Sequence, residues 1–217
     1  MAAIVFDLDG TLVDSAPDIA AAANRMLADR GEMPLSLDQV IGFIGHGIPN
    51  LVRLIMEERA IPTAEHAGMT ASMLAHYTAQ PADLTRPYPG VIDALDTLRS
   101  RGHRLGVCTN KFRAPAMQIL QALDMAQHFD AVLGGDSLPV KKPDPAPLLA
   151  CFDALGGERL IYVGDSEVDA ETALAAGIDF ALFTRGYRKA AIETLPHAIA
   201  FDDFTVLPDR IFGGFGV

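Results

Sequence analysis

Nine polar residues, scattered along the chain, are of the types that could handle a small anion. Asp7 and Asp9 stand two apart, followed by Gly10 and Thr11; Thr109-Asn110 comes much later, then Lys141-Lys142-Pro143, then Asp165 and Asp169. Carboxylates brought close together repel and raise one another's pKa. A divalent cation is the natural compensation. An all-oxygen ligand set, with room left for water and a phosphate oxygen, favours Mg²⁺ over a soft or borderline metal. A lysine beside the acids then neutralises whatever anion binds there. Taken singly, Asp9, Thr11 or Asp165-Ser166 could each be a helix N-cap or turn residue; together they form a site.

Residues so far apart need a scaffold that gathers them. Ala3-Ile4-Val5-Phe6-Asp7 reads as a buried strand running into a loop. Similar runs recur at 104–109, 131–133, 160–165 and 179–183, separated by helical patterns such as Val91–Leu98. This alternation is the signature of a parallel α/β sheet. Gly102, Gly156 and Gly177 stand where helix C-caps precede strands. In open parallel sheets ligands bind beyond the carboxyl ends of the strands, where the polar residues named above fall. Residues 16–85 break the rhythm, being rich in Ala, Leu, Met and Ile at helical spacing. They read as an all-helical cap domain inserted into a Rossmann-like core of residues 1–15 and 86–217. Arg86-Pro87-Tyr88-Pro89-Gly90 suits a stiff hinge between the two. Met26, Met33, Met56, Met69 and Met73 are expected in the insert's core.

Composition narrows the function classes. A chain of 217 residues with 50% hydrophobic content can build a real core, which excludes disordered and fibrous classes. No apolar run is long enough to cross a bilayer, and the start lacks the basic and apolar stretches of a signal peptide, so a cytoplasmic location is expected. A net charge of -11 argues against nucleic-acid and membrane partners. Cys108 and Cys151 have no ligand-like spacing, so neither a disulfide nor a zinc site is assigned.

Phe6-Asp7-Leu8-Asp9-Gly10-Thr11, Thr109-Asn110, Lys142-Pro143 and Gly164-Asp165-Ser166 with Asp169 resemble the four ordered motifs of the haloacid dehalogenase superfamily. Asp14–Ile19, Gly45-His46-Gly47, 141–147 and Gly186-Tyr187 are further similar to its phosphoglycolate phosphatase group. The resemblance covers essentially the whole chain. It implies a Mg²⁺-dependent phosphatase acting on a small phosphomonoester, with 2-phosphoglycolate the first candidate, through an aspartyl-phosphate intermediate. Asp7 would be the nucleophile and Asp9 the general acid and base. Asp7, the Asp9 carbonyl and Asp165 would hold the metal, with Asp169 behind them or reaching it through water. Thr109, assisted by the Asn110 backbone, and Lys142 would bind the phosphoryl group; Lys141 is the rival for the lysine's role.

The substrate's other end is less defined. His46, between two glycines, either faces the substrate or is an exposed loop residue. Arg53 could pair with a substrate carboxylate or belong to a solvated helix face. Lys111 either lends positive potential to the mouth or pairs with a surface acid. Asp9 argues against a dehalogenase, and residues 16–85 contain no lysine to form the Schiff base of a phosphonatase. A sugar-phosphate phosphatase or phosphomutase remains the enzymatic alternative, and a catalytically idle binding protein the other. The partner expected is a small phosphorylated metabolite, and the oligomeric state monomer or homodimer.

Overall fold

The computed structural model describes residues 2–80 and 82–213, so Met1, Pro81 and 214–217 lie outside it. In chain order its strands and α-helices are β1 (Ala2–Phe6), β2 (Val13–Asp14), α1 (Ala16–Ala28), α2 (Leu37–Ile41), α3 (Ile48–Glu58), α4 (His66–Ala79) and β3 (Arg86–Pro87). They continue with α5 (Val91–Ser100), β4 (Arg104–Cys108), α6 (Arg113–Ala122), β5 (Ala131–Leu133), α7 (Ala146–Leu155) and β6 (Glu158–Gly164). The last are α8 (Glu167–Ala176), β7 (Phe180–Phe183), β8 (Ile199–Phe201) and α9 (Leu207–Phe212).

Six strands form one parallel sheet in the order β5-β4-β1-β6-β7-β8. This is the expected α/β, Rossmann-like architecture, with β1 between β4 and β6. Both faces of β1 are buried, which is why it is an unbroken apolar run. Ile4 and Phe6 join Leu105, Val107, Ile161 and Val163 under α5, α6 and α9. Ala3 and Val5 point the other way, with Tyr162 and Leu182 under α7 and α8. Deleting one of these side chains, as in Leu105→Ala, would cost about 2–5 kcal/mol.

Turn chemistry sets where the strands begin. Gly177 ends α8 in the left-handed region at φ 66°, and Gly156 ends α7 at φ 64°. The strand β8 was not anticipated, because no α-helix separates it from β7 and the strand–helix alternation that marks the others is missing there. The small ribbon of β2 and β3 was also missed: it pairs Val13 with Pro87 and Asp14 with Arg86 where the chain leaves for, and returns from, its helical stretch.

Helices α1 to α4 pack on one another through Met26, Leu27, Val52, Ile55, Met56, Met69, Met73 and Tyr77. Met33 does not join them; it lies 70% exposed in the turn after α1. Asp18, buried near the start of α1, accepts hydrogen bonds from the Leu84 and Thr85 amides and the Thr85 hydroxyl. It thereby ties the entry of the helical stretch to its exit. Among the described residues no helix is long and apolar enough to cross a membrane.

Candidate active site

Beyond the carboxyl ends of β1, β4 and β6 lies a cleft of about 530 Å³, lined by Asp7, Asp9, Thr109, Asn110, Lys111 and Asp165 from the sheet side. The helical side contributes Ile19, Gly45, His46, Gly47, Leu51 and Tyr77 among others. The parallel topology has thus brought distant sequence positions to one edge.

Asp7 follows the last residue of β1, held by its amide donating to the Val163 carbonyl at 2.8 Å. Carboxylate oxygens of Asp7, Asp165 and Asp169 lie within 4.8 Å of one another, and all three residues are buried. The buried ammonium of Lys142 answers part of this charge. Its Nζ is 3.0 Å from Asp7 Oδ1 and donates to Asp169 Oδ1 at 2.6 Å and to the Tyr162 hydroxyl at 2.7 Å. Burial alone would depress Lys142, but Asp169 and Asp7 reverse this and hold it above its ordinary value. Lys141 goes elsewhere, donating to the His46 carbonyl at 2.7 Å. Of the two lysines, Lys142 is the one beside the acids.

The three acids differ in how well they are served. Burial would raise Asp169, yet Lys142, Ser166 and Tyr162 bring it below its usual range. Its Oδ2 accepts from the Ser166 amide at 3.1 Å and hydroxyl at 2.6 Å, a capping box that also starts α8. Ser166 is therefore both a helix N-cap and a support of the site. Asp165 accepts from Thr11 Oγ1 at 2.7 Å and the Tyr187 amide at 2.6 Å, but burial, with Asp169 and Asp7 nearby, still lifts it well above normal. Burial likewise pushes Asp7 up to about 7, against the pull of Lys142. Asp7 Oδ1 is buried without a well-aligned hydrogen bond. Two buried carboxylates only partly compensated, with hard oxygen donors, are what a divalent cation satisfies, so the cluster could hold one. Asp169, already saturated by protein donors, is placed to orient the others.

Asp9 stands apart from this cluster. Its carboxylate accepts from Ser15 Oγ at 2.5 Å and from Lys111 Nζ at 2.9 Å to each oxygen. Of Asp9, the main-chain carbonyl is what remains as a candidate metal donor. Lys111 is neither at the mouth nor paired with a surface acid; it is buried, 4.4 Å above the ring of Tyr77 from α4. Burial would lower it, and Asp9 with Tyr77 more than offsets this.

Thr109 is buried in the cleft wall, its Oγ1 accepting from the Lys111 amide at 3.2 Å. The Asn110 side chain is a brace, donating to the Gly45 and Lys142 carbonyls at 3.0 Å each. His46 reaches the cleft from an exposed loop, where burial and then Lys141 and Lys189 keep its pKa below normal. Arg53 does not line the cleft. It is half exposed and paired with Glu57 one turn along α3 and with Asn50, so the solvated-face reading describes its position.

Of the groups that brace the acids, Thr11 and Tyr187 stand in the sequence motifs without an assigned role, and Tyr162 was missed. Tyr162 is a core strand residue by pattern, and nothing local marks its hydroxyl as the partner of Lys142. The Tyr187 hydroxyl accepts from the Ser15 and Ala16 amides at 2.8 and 2.9 Å and donates to Asp14 at 2.7 Å. Glycines make room for these contacts: a Cβ on Gly186 would fall 2.3 Å from Asp165, and one on Gly10, at φ 85°, 2.5 Å from its Oδ2.

Comparison with known proteins agrees with this geometry. The family profile of the haloacid dehalogenase-like hydrolases matches residues 4–183. A phosphoglycolate phosphatase of Cereibacter sphaeroides (strain ATCC 17029 / ATH 2.4.9) is 51% identical over 213 residues, 97% of this chain and 98% of that one. One from Rhodobacter capsulatus is 41% identical over 215 residues, 97% of each. The crystal structure of a predicted phosphoglycolate phosphatase from Haemophilus somnus 129PT superposes with a TM-score of 0.86 at 32% identity, covering 94% of this chain and 95% of that one. The chain belongs to the haloacid dehalogenase-like hydrolases, and the two relatives named from Cereibacter sphaeroides and Rhodobacter capsulatus are phosphoglycolate phosphatases.

Proposed function

We propose that this protein is a Mg²⁺-dependent phosphomonoesterase that hydrolyses 2-phosphoglycolate to glycolate and phosphate, with residues 16–85 acting as a cap over residues 1–15 and 86–217. The observation that carries the reading is Asp7 at the end of a central strand, with Lys142 at 3.0 Å and the oxygens of Asp165 and Asp169 within 4.8 Å. The substrate is that of the named relatives, which match nearly the full chain.

In this reading an Asp7 carboxylate oxygen attacks phosphorus in line with the ester oxygen, forming the acyl-phosphate bond as the P–O bond to the leaving group breaks. Asp9 gives its proton to the departing alkoxide. It then takes a proton from the water that attacks the aspartyl phosphate, which returns Asp7 and releases phosphate. Lys142 and the Thr109 hydroxyl bind the phosphoryl oxygens, where charge is concentrated in both steps. Asp7, Asp165 and the Asp9 carbonyl would hold Mg²⁺, with Asp169 orienting them; when bound it supplies charge neutralisation for the phosphoryl oxygens. The apolar helical wall keeps bulk water from the site.

Phosphate release from 2-phosphoglycolate, glycerol phosphates, sugar phosphates and a nitrophenyl phosphate, measured with Mg²⁺ and with EDTA, tests this. Preference for 2-phosphoglycolate that is lost in EDTA and in Asp7→Asn is the expected result. Broad weak release would keep the chemistry and overturn the substrate; no release from any ester would overturn both.

A further inference from the structure

One cation in the cleft has no part in the chemistry just described. Lys142 is committed to Asp7, Asp169 and Tyr162. His46 and Lys189 line the cleft but are exposed. Lys111 is buried, lines the same cleft, and spends two of its three N–H donors on the two oxygens of Asp9. The ring of Tyr77 lies beside it, 4.4 Å from Nζ to the centroid, a weak partner for an ammonium. Tyr77 adds a second, independent observation. It is 1% exposed, lines the cleft, and its hydroxyl is buried without a hydrogen-bond partner, an arrangement proteins rarely leave unfilled. A buried ammonium and an orphan hydroxyl, side by side and facing the same space, form a site for an anionic oxygen acceptor.

We infer that Lys111 and Tyr77 recognise the carboxylate of the leaving group and so set the substrate class as phosphomonoesters of short hydroxy acids. This deepens the reading above and rests on it. In such an ester a single methylene separates the ester oxygen from the carboxylate. An ester oxygen within proton-transfer reach of Asp9 therefore brings the carboxylate beside the group that holds Asp9, and Lys111 Nζ is 2.9 Å from each Asp9 oxygen. The ammonium bridges the two carboxylates, and the Tyr77 hydroxyl donates to the second. Lys111 comes from the loop after β4 and Tyr77 from α4, so the subsite is complete only when the helical segment sits on the sheet, as it does here. An acceptor at this point ties the placing of the leaving group to the placing of its proton donor.

The test compares 2-phosphoglycolate with 2-hydroxyethyl phosphate, which keeps the ester and replaces the carboxylate by a hydroxymethyl group. Steady-state constants are measured with Mg²⁺ for wild type, Lys111→Met, Lys111→Arg and Tyr77→Phe, with melting curves to confirm folding. The wild-type ratio of kcat/KM, carboxylate ester over hydroxyethyl ester, is expected to be large. It should fall by at least about tenfold in Lys111→Met and severalfold in Tyr77→Phe, mostly through KM for the carboxylate ester, and recover in part in Lys111→Arg. Equal losses on both esters in Lys111→Met would assign Lys111 to holding Asp9 alone and overturn the subsite. An intact ratio in Lys111→Met that collapses in His46→Ala or Lys189→Ala would move it to the rim and overturn it likewise. Wild-type hydrolysis without any carboxylate preference overturns the subsite while the phosphatase reading stands. No phosphate release from either ester by the wild type would instead defeat the phosphatase reading itself.

Discussion

On the sheet side of the cleft, Asp7, Asp165, Asp169 and Lys142 are all buried, held by one another and by Thr11, Tyr162, Ser166 and Tyr187. On the helical side, Gly45, His46 and Gly47 are partly or largely exposed, held to the sheet side by the Asn110 amide and the Lys141 ammonium bonding two main-chain carbonyls. The first wall stores charge at close quarters and cannot shift without exposing or unpairing it. The loop of the second wall carries no buried charge and so is freer to shift, although Tyr77 of α4 packs over buried Lys111 of the first. Bond-making chemistry needs groups placed to within about half an ångström, whereas admission of substrate needs a wall that opens. The comparison predicts that substitutions on the sheet side change kcat and stability together, and that those on the helical side change KM.

The largest effect is expected for Lys142→Met. Removing the ammonium leaves Asp7 and Asp169 buried without their cation, a change that costs about 3–5 kcal/mol where one partner of a buried pair is deleted. Urea unfolding in EDTA reads that loss directly. Hydrolysis should fall by about a hundred- to a thousandfold, as expected when a group stabilising transferred charge is removed. A stable, active Lys142→Met would break the division between the walls.

Metal and pH sharpen it. Asp7 titrates near 7 in the fold against 3.8 for a free carboxyl, and Asp165 is raised as well, by burial first and then by the neighbouring acids. A raised carboxyl favours the folded state while it stays protonated, below about pH 4, and that contribution is lost as pH rises through about 7. In EDTA the melting temperature should therefore carry a penalty that grows between about pH 4 and 7. A divalent cation replaces those protons, so the rise in melting temperature with Mg²⁺ should be larger at pH 8 than at pH 5, with protons released on binding. An equal rise at both values, or none, would place the cation elsewhere.

Much of the sheet wall was legible because its residues sit at strand ends, and strand ends announce themselves as apolar runs stopping at a polar residue. Asp7, Thr109 and Asp165 all follow that rule, and chain order did the rest. Residues that serve the site through their side-chain tips escaped it. Tyr162 lies within β6, where its ring packs as any core aromatic would, and only the third dimension brings its hydroxyl to Lys142. Lys111 looked like a mouth residue because a lysine after a polar pair reads as exposed; the arrival of α4 over it, with Tyr77, is what buries it. Arg53 is the opposite case. An arginine one or two turns into a helix near a ligand loop invited a carboxylate, but Glu57 four residues on already supplies one. Short strands such as β8 and the β2–β3 ribbon owe their existence to neighbours already in place, which no local pattern encodes.

On the helical wall, Gly47→Ala is expected to act through position alone. Gly47 has φ 81°, and a Cβ there would lie 2.8 Å from the Asn110 carbonyl oxygen, so the loop must draw back from the sheet. KM should rise by about tenfold with little change in stability beyond the roughly 1–3 kcal/mol of strain at φ 81°, ψ 168°, a conformation open almost only to glycine. Gly31→Ala is the control: it too has a positive φ, 71°, with nothing within 4 Å, so it should cost stability alone. Equal kinetics in the two variants would mean the loop's contact with Asn110 has no bearing on substrate.

The smallest effect separates the two adjacent lysines. Lys141 is exposed and makes one hydrogen bond, from Nζ to the His46 carbonyl at 2.7 Å, whereas Lys142 is 2% exposed among the acids. A single exposed hydrogen bond contributes up to about 1 kcal/mol, so Lys141→Ala should leave the unfolding midpoint nearly where it was. If that bond helps seat the Gly45–Gly47 loop on the substrate, the same energy appears as a rise in KM of up to about fivefold, because a tenfold change corresponds to about 1.4 kcal/mol. Values of kcat should stay within about twofold, since no atom of Lys141 reaches the carboxylate cluster and a lost loop contact acts on uniform binding. A kcat loss comparable to that of Lys142→Met would give Lys141 a share in phosphoryl binding. The two walls would then have to meet at this lysine, with the loop's seating and the charge on the transferred group controlled by one side chain.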